Sequence, residues 1–162
     1  MKLSTRDIVQ QAIIAGLYRA LTILLPAPTY GPLQFRLSEV MTLLAFYNSK
    51  NIIGLTVGCF ISNIPSPLGI YDMFFGTLGT FLAVYLMSKS KNIYIASIWP
   101  TVFSFIYGLE NAILTNQIGS SVVFTIQIMV SQFIIVSIIG VILFKILEKN
   151  EKVYAFLTDK TI

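Results

Sequence analysis

The feature that most constrains this chain is a series of long apolar runs that contain almost no charge. Only 11% of its 162 residues are charged, whereas soluble domains carry roughly 25%. About 20 apolar residues form a helix that crosses the hydrocarbon core, and in lipid the backbone must satisfy its own hydrogen bonds. The runs lack the alternation of an outer-membrane barrel strand. The sequence therefore predicts an all-α integral membrane protein embedded in the lipid bilayer.

Breaks between the apolar runs predict six transmembrane helices, at residues 7–25, 37–48, 51–64, 71–88, 93–114 and 121–147. Proline and glycine mark two of the connections, at Pro26, Pro28, Gly31 and Pro32 and again at Pro65, Pro67 and Gly69. The second and third helices are short, so each either spans obliquely or forms part of a re-entrant pair. Residues 1–162 contain no repeat or linker, which predicts a single membrane domain.

The distribution of cations predicts the orientation. Six spans place both termini on one side, and nine of the eleven Lys and Arg residues then fall on that side: Lys2, Arg6, Lys50, Lys89, Lys91, Lys145, Lys149, Lys152 and Lys160. Only Arg36 lies on the other side, and Arg19 lies within the first helix, where it either pairs with an acid or snorkels. The positive-inside rule therefore predicts cytoplasmic termini. It also explains the net charge of +4 without a nucleic-acid partner.

A group of polar residues is expected at the outward ends of the helices. Glu39, Asp72 and Glu110 lie there with Arg36, and the amides of Gln34, Asn63, Asn111 and Gln127 fall close by in sequence or at similar depth. An ionisable group at membrane depth costs several kcal/mol unless it faces water, a partner or the bundle interior. The alternative is a set of interfacial charges at helix ends. We favour a binding pocket open to the outside.

Aromatic residues on the fifth helix extend this expectation. Trp99, Phe103, Tyr107 and Glu110 recur every three or four residues and so share a face. Such a stripe is more often packing than a ligand platform. A stripe that ends in a carboxylate nevertheless suits a flat, nitrogen-rich ring, which stacks on aromatic faces and donates N–H groups to the acid. Phe103 and Tyr107 are therefore candidate ligand contacts.

Small residues on two helices predict close helix packing. Ala12, Gly16 and Ala20 stand four residues apart on the first helix, and Gly54, Gly58 and Ser62 repeat this spacing on the third. Small side chains let membrane helices approach closely. Each set fits either packing within the bundle or docking to another protein.

Several chemistries are excluded by what the sequence lacks. Cys59 is the single cysteine and there is no histidine, which excludes an internal disulfide, a His-based triad and a zinc site of the usual ligands. No phosphate-binding loop of the G-x-x-x-x-G-K-[ST] type occurs. Tyr71-Asp72 has no G-x-G-D partner that would make an intramembrane aspartyl protease. The sequence therefore predicts no enzyme activity, no metal and no cofactor.

The motif G-P-L-Q-F-R-L-S-E (Gly31 to Glu39), followed by Gly54, Gly58, Asn63, Ser66-Pro67-Leu68-Gly69, Asp72 and Gly76, resembles the QueT family of queuosine-precursor transporters. These proteins are substrate-binding S components of energy-coupling factor (ECF) importers in bacterial plasma membranes. The resemblance implies a 7-deazaguanine ligand, a transmembrane coupling subunit and two cytoplasmic ATPases. It also implies that Ala12, Gly16 and Ala20 dock to the coupling subunit, and that the loop before Gln34 acts as a lid. Gln132 and Ser104 depart from the family pattern, which leaves the exact substrate open.

Three other functions fit the same residues. The chain is also compatible with an S component for another heterocycle or vitamin, with a non-transporting membrane assembly protein, and with a stand-alone ion-coupled carrier. The first predicts saturable binding of a ligand other than a deazaguanine, the second tolerates neutralisation of Glu39, Asp72 and Glu110, and the third transports in liposomes without an ATPase.

Overall fold

A computed structural model describes residues 4–24 and 34–158. Within these ranges the chain forms seven helices and no strand. They are α1 (Thr5–Leu24), α2 (Leu37–Tyr47), α3 (Asn51–Asn63), α4 (Ile70–Met87), α5 (Ile93–Thr115), α6 (Ile118–Leu147) and α7 (Glu151–Leu157). The six predicted segments correspond to α1–α6, with ends shifted by up to three residues. The seventh helix is a correction to the predicted count: Asn150 caps it by accepting hydrogen bonds from the N–H groups of Lys152 and Val153.

Four of these helices, α1, α4, α5 and α6, are long and apolar enough to cross a membrane. The 13 residues of α3 rise only about 20 Å, against a hydrocarbon core of about 30 Å. The α2 helix is shorter still, and its first part, Leu37–Leu43, is a 3-10 helix. The chain is thus a multi-pass membrane protein whose second and third helices differ in length from the rest.

Close packing of α1 against α3 depends on small residues. A methyl group on Gly54 would lie 2.7 Å from the carbonyl oxygen of Gln11, and one on Gly58 would lie 2.9 Å from Cβ of Tyr18. Gln11 also accepts a hydrogen bond from the Gly54 N–H and donates one to Asn51. Of the two small-residue sets, the α3 set therefore serves packing within the bundle.

The α2 helix lies at the centre of the bundle, in contact with α1, α4, α5 and α6. Its apolar residues Val40 and Leu43 join the main core. Other members of that core are Leu55 on α3, Val84 and Met87 on α4, Ile93 and Ala96 on α5, and Ile135, Val136 and Phe144 on α6. Polar residues at the start of α2 are buried as well, so this helix carries both a polar and an apolar interior.

Polar contacts bring four helix ends together at one end of the bundle, which we call the basic end. Lys50 forms an ion pair of 2.8 Å with Asp7 at the start of α1. Glu148, just after α6, accepts hydrogen bonds from Tyr47 at the end of α2 and from Lys145. The cations assigned by sequence to the side of the termini include Lys50 and Lys145. Two others, Lys2 and Lys160, lie outside the described residues.

Candidate functional site

The polar stretch at the start of α2 is buried. Gln34, Arg36, Ser38 and Glu39 are all less than 10% exposed, so this segment is not a solvated loop. Arg36 precedes the 3-10 helix with an extended backbone, and its carbonyl accepts a hydrogen bond of 3.1 Å from the N–H of Glu39. Gln34 adopts a positive φ of 43°, a backbone conformation uncommon outside glycine. The proposed lid, residues 26–32, lies outside the described residues.

Glu39 is held by α1. The hydroxyl of Tyr18 donates a hydrogen bond of 2.5 Å to Oε1 of Glu39, and both side chains are buried. One turn further along α1, the hydroxyls of Thr22 and Ser38 are 2.8 Å apart. These contacts fix the start of α2 against α1. Tyr18 was not predicted as a site residue. It follows the buried Gln11 and Ile14 and precedes the buried Thr22 at three- and four-residue spacing, which places it on the inward face of α1.

Two further acids meet Arg36 from α4 and α5. Glu110 on α5 is 1% exposed, and it lies close enough to Asp72 and Arg36 to interact electrostatically with both. Arg36 interacts in the same way with Asp72 and with Tyr107. The guanidinium is also 3.9 Å from the sulfur of Cys59. The side chains come from four helices, so only the folded bundle brings them together.

Gly76 on α4 makes room for this arrangement. A methyl group at this position would lie 2.6 Å from Nδ2 of Asn63 and 2.8 Å from Oδ1 of Asp72. Asn63 also donates a hydrogen bond of 3.0 Å to the backbone carbonyl of Asp72, and Tyr107 donates one of 3.5 Å to that of Gly76. The absence of a side chain therefore lets Asn63 and Asp72 share one small space.

We call six buried residues the polar cluster: Arg36, Glu39, Asn63, Asp72, Tyr107 and Glu110. Gln34 is also buried and lies two residues before Arg36 in the chain. Several acceptor atoms of the polar cluster have no hydrogen-bond donor among the described residues: both carboxylate oxygens of Glu110, Oδ1 of Asp72 and Oδ1 of Asn63. Buried polar atoms in native proteins are nearly always hydrogen-bonded. The cluster is therefore suited to a ligand that presents several N–H groups.

Three candidate residues, Phe103, Asn111 and Gln127, have no contact with the polar cluster among those found in the described residues. Phe103 is half-buried, and its ring contacts are with Trp99 and Phe105. At Ser104, four residues after Pro100, the hydrogen-bonding pattern of α5 is irregular, but the backbone stays in the right-handed helical region with φ −58° and ψ −21°. Asn111 accepts a hydrogen bond from Ser121 on α6. Gln127 is half-buried on α6.

Sequence reasoning missed two buried residues that contact the cluster, Tyr18, which hydrogen-bonds Glu39, and Cys59. Cys59 is fully buried, and its sulfur lies 3.3 Å from the hydroxyl of Thr80 and 3.5 Å from Nδ2 of Asn63. The four-residue spacing of Cys59 and Asn63 on α3 was a signal for Cys59. Arg19, expected to pair with an acid or to snorkel, instead donates hydrogen bonds to the carbonyls of Ile61 and Ser62 at the end of α3.

The partner-docking candidates on α1 lie on the outside of the bundle. Ala12, Gly16 and Ala20 are exposed, and no atom lies within 4 Å of a methyl group built on Gly16. This face is separate from the α1 face that packs on α3. It is therefore not used within the described bundle.

The helical bundle has several helices able to cross a membrane, and it buries an acid-rich cluster. Several carboxylate oxygens of that cluster have no hydrogen-bond donor among the described residues. These features are typical of membrane proteins that bind or transport a substrate. A family profile described as "QueT transporter" matches residues 8–149, and the chain belongs to this family of transporters. It is 44% identical over 99 residues to the queuosine precursor transporter QueT of Lactococcus lactis subsp. cremoris (strain MG1363). That match covers 57% of this chain and 58% of the relative, less than two thirds of its length. No solved structure matches the chain.

Proposed function

We propose that this protein is the S component of an ECF importer and captures a queuosine precursor or related 7-deazaguanine in the polar cluster. The observation that supports this proposal is the burial of Glu110 and Asp72, which offer three carboxylate oxygens without a hydrogen-bond donor among the described residues. A guanine-like edge presents a ring N–H and an exocyclic amine that one carboxylate accepts together. The name of the Lactococcus relative agrees with this ligand class.

The membrane arrangement proposed for this function has six spans and cytoplasmic termini. The pairing of Lys50 with Asp7 and of Lys145 with Glu148 at the basic end agrees with a cytoplasmic location under the positive-inside rule. The polar cluster, with Arg36 as its cation, would then open to the outside. Capture from outside would precede release inside.

Energy for transport would come from partner proteins, a transmembrane coupling subunit and two ATPases. The exposed face of Ala12, Gly16 and Ala20 supports docking, because small residues let a partner helix approach closely. The equivalent small residues on α3 are already occupied by α1, which singles out the α1 face as the available one.

Thermal unfolding of the detergent-purified chain tests the ligand. A ligand that binds only the folded state raises the melting temperature with its concentration. We expect stabilisation by the nitrile and aminomethyl 7-deazaguanines and by queuine, and none by guanine or vitamins. Loss of the effect in Glu39→Gln would support capture at the cluster. Stabilisation by a vitamin alone would overturn the substrate, and no stabilisation across the panel would overturn the capture role.

Co-purification tests the partner. Gly16→Leu should abolish recovery of the coupling subunit and ATPases, because the larger side chain blocks close approach. Gly119→Leu is the matched control, since Gly119 on α6 is also exposed with open space around it. Ligand uptake into liposomes by the isolated chain would instead favour an ion-coupled carrier and contradict the ATP-driven mechanism.

A further inference from the structure

A groove of about 610 Å³ lies at the basic end, apart from the polar cluster. Its walls are apolar residues of α1, α2 and α7, including Val9, Ile13, Leu17, Leu44 and Phe156. Four of these, all but Leu44, are more than half exposed. In a membrane protein such a surface faces lipid or a partner, so the groove requires an apolar occupant.

Two cations line this groove, Arg6 near the start of α1 and Lys152 in the first turn of α7. Among the described residues, neither side chain forms an ion pair or hydrogen bond, whereas the nearby acids Asp7 and Glu148 pair with Lys50 and Lys145. The groove therefore combines an apolar floor with two positive charges that attract an anion.

The length of the groove fits one leaflet of a bilayer. From Arg6 to Leu17 is eleven residues along α1, which corresponds to about 16 Å at 1.5 Å per residue. Half of the roughly 30 Å hydrocarbon core is about 15 Å. An occupant whose anionic head lies beside Arg6 would thus have its acyl chain alongside Ile13 and Leu17.

From this geometry we infer that the groove binds an anionic phospholipid of the leaflet at the basic end. Its phosphate lies between Arg6 and Lys152, and one acyl chain lies along α1 between α2 and α7. Basic sites beside membrane helices attract anionic lipid headgroups. The site is separate from the polar cluster, so it stands even if the proposed substrate is wrong.

Native mass spectrometry of the detergent-solubilised full chain tests this inference. Phosphatidylglycerol should bind about thirtyfold tighter than phosphatidylcholine with the same acyl chains, given the contribution of each cation near the lipid surface. The double variant Arg6→Gln/Lys152→Gln should lose this preference. Lys89→Gln/Lys91→Gln is the matched control, because it removes the same charge outside the groove and should keep the preference. Melting temperatures measured alongside confirm that each variant is folded.

Two further measurements separate the lipid from other occupants. Ile13→Trp fills the groove without changing charge and should weaken both lipids, while sn-glycerol 3-phosphate should not compete. Equal binding of the two lipids to the unmodified chain, or equal losses in both double variants, would overturn the inference. Competition by sn-glycerol 3-phosphate would reassign the cations to a free anion. Unchanged binding of both lipids in Ile13→Trp would overturn the inference, whatever happens to partner co-purification, because Ile13 borders the exposed Ala12 and Gly16 on α1.

Discussion

Two regions of the interior are equally buried but differ in how their atoms are satisfied. The polar cluster around Arg36 and Glu110 contains acceptor atoms that have no donor in residues 4–24 and 34–158, whereas the core around Leu43 and Met87 is filled by apolar contacts. Both regions meet on α2, which contributes Glu39 to the first and Leu43 to the second. Burial alone therefore does not distinguish a structural residue from a binding residue. Replacing a structural residue should change stability, whereas replacing a binding residue should change ligand affinity.

The largest effect is expected in the apolar core. Leu43→Ala should lower the free energy of unfolding by about 2–5 kcal/mol, because it removes a fully buried side chain and leaves a cavity. Ligand affinity of the folded fraction should change little. Thermal unfolding in detergent with and without ligand measures both quantities. Leu143→Ala on the exposed face of α6 is the control, and equal losses in the two variants would remove the distinction.

Glu110→Gln should produce the opposite pattern in the polar cluster. Binding of a 7-deazaguanine should weaken about a hundredfold, since a charge-assisted hydrogen bond contributes roughly 1.5–3 kcal/mol. The free energy of unfolding without ligand should stay the same or rise. Burying an amide costs less free energy than burying a carboxylate whose oxygens accept no hydrogen bond from the described residues. A ligand titration followed by melting temperature separates the two effects. Lower stability together with unchanged binding would identify Glu110 as structural.

A glycine pair on α4 tests how tightly the cluster is built. Gly76→Ala should weaken ligand binding by about 1–3 kcal/mol, because its methyl group displaces Asn63 and Asp72. Gly79→Ala is the matched control, since its methyl group would sit at an ordinary 3.6 Å from the Tyr107 ring. Isothermal calorimetry on both variants gives the difference. Equal affinities would show that the space beside Gly76 is not part of the site.

Tyr18→Phe should have a smaller effect on the same site. Removing the hydroxyl takes a donor from Glu39 and should weaken ligand binding by about 1.5 kcal/mol, roughly tenfold. Glu39 would still be present but less firmly oriented. The exposed Tyr94 provides the control substitution Tyr94→Phe. An affinity equal to that of the unmodified chain would show that α1 does not position Glu39 for binding.

The smallest effect is expected at the basic end, outside the spans. Partial burial raises the pKa of the Glu148 carboxyl, but hydrogen bonds from Lys145 and Tyr47 outweigh it and hold the pKa below its usual value. Because the folded state has the lower pKa, this contribution is present above the unfolded pKa of about 4.3 and is lost as pH falls through the folded value.

Glu148→Gln should therefore lower stability at pH 7 by less than about 1 kcal/mol, as is usual for exposed pairs. The difference from the unmodified chain should disappear in acid. Melting temperatures followed from pH 7 down to pH 2.5, below the lowered pKa of Glu148, measure this, with the exposed Glu151→Gln as control. A constant difference across pH would show that the carboxylate charge is not responsible.

Local sequence patterns predicted more of the fold than of the site. Apolar run length placed α1 to α6 to within three residues, because a helix in lipid satisfies its own backbone. The pattern did not predict α7, a short amphipathic helix after the last span. The roles of the two small-residue sets could be distinguished only in the structure. The spacing of small residues on one helix does not show which neighbouring helix packs against them.

The same limit applies to the candidate site. Gln34, Arg36, Glu39, Asn63, Asp72, Tyr107 and Glu110 could be selected from sequence because polar residues are rare in such an apolar chain. Phe103 was selected by helical period, but its ring contacts Trp99 and Phe105, because period along one helix does not determine which neighbours a side chain meets. Cys59 and Tyr18 were missed because each is compatible with an apolar helix interior.

The sequence by itself determined a multi-pass helical membrane protein, since run length and charge are properties of local segments and the bilayer is a uniform apolar solvent. Tertiary structure alone decided which polar groups meet. Arg36, Asp72 and Glu110 come from different helices, and their juxtaposition depends on the order and rotation of helices around the bundle. That order follows from packing contacts such as Gly54 against Gln11 and Gly58 against Tyr18, which are made between segments distant in sequence.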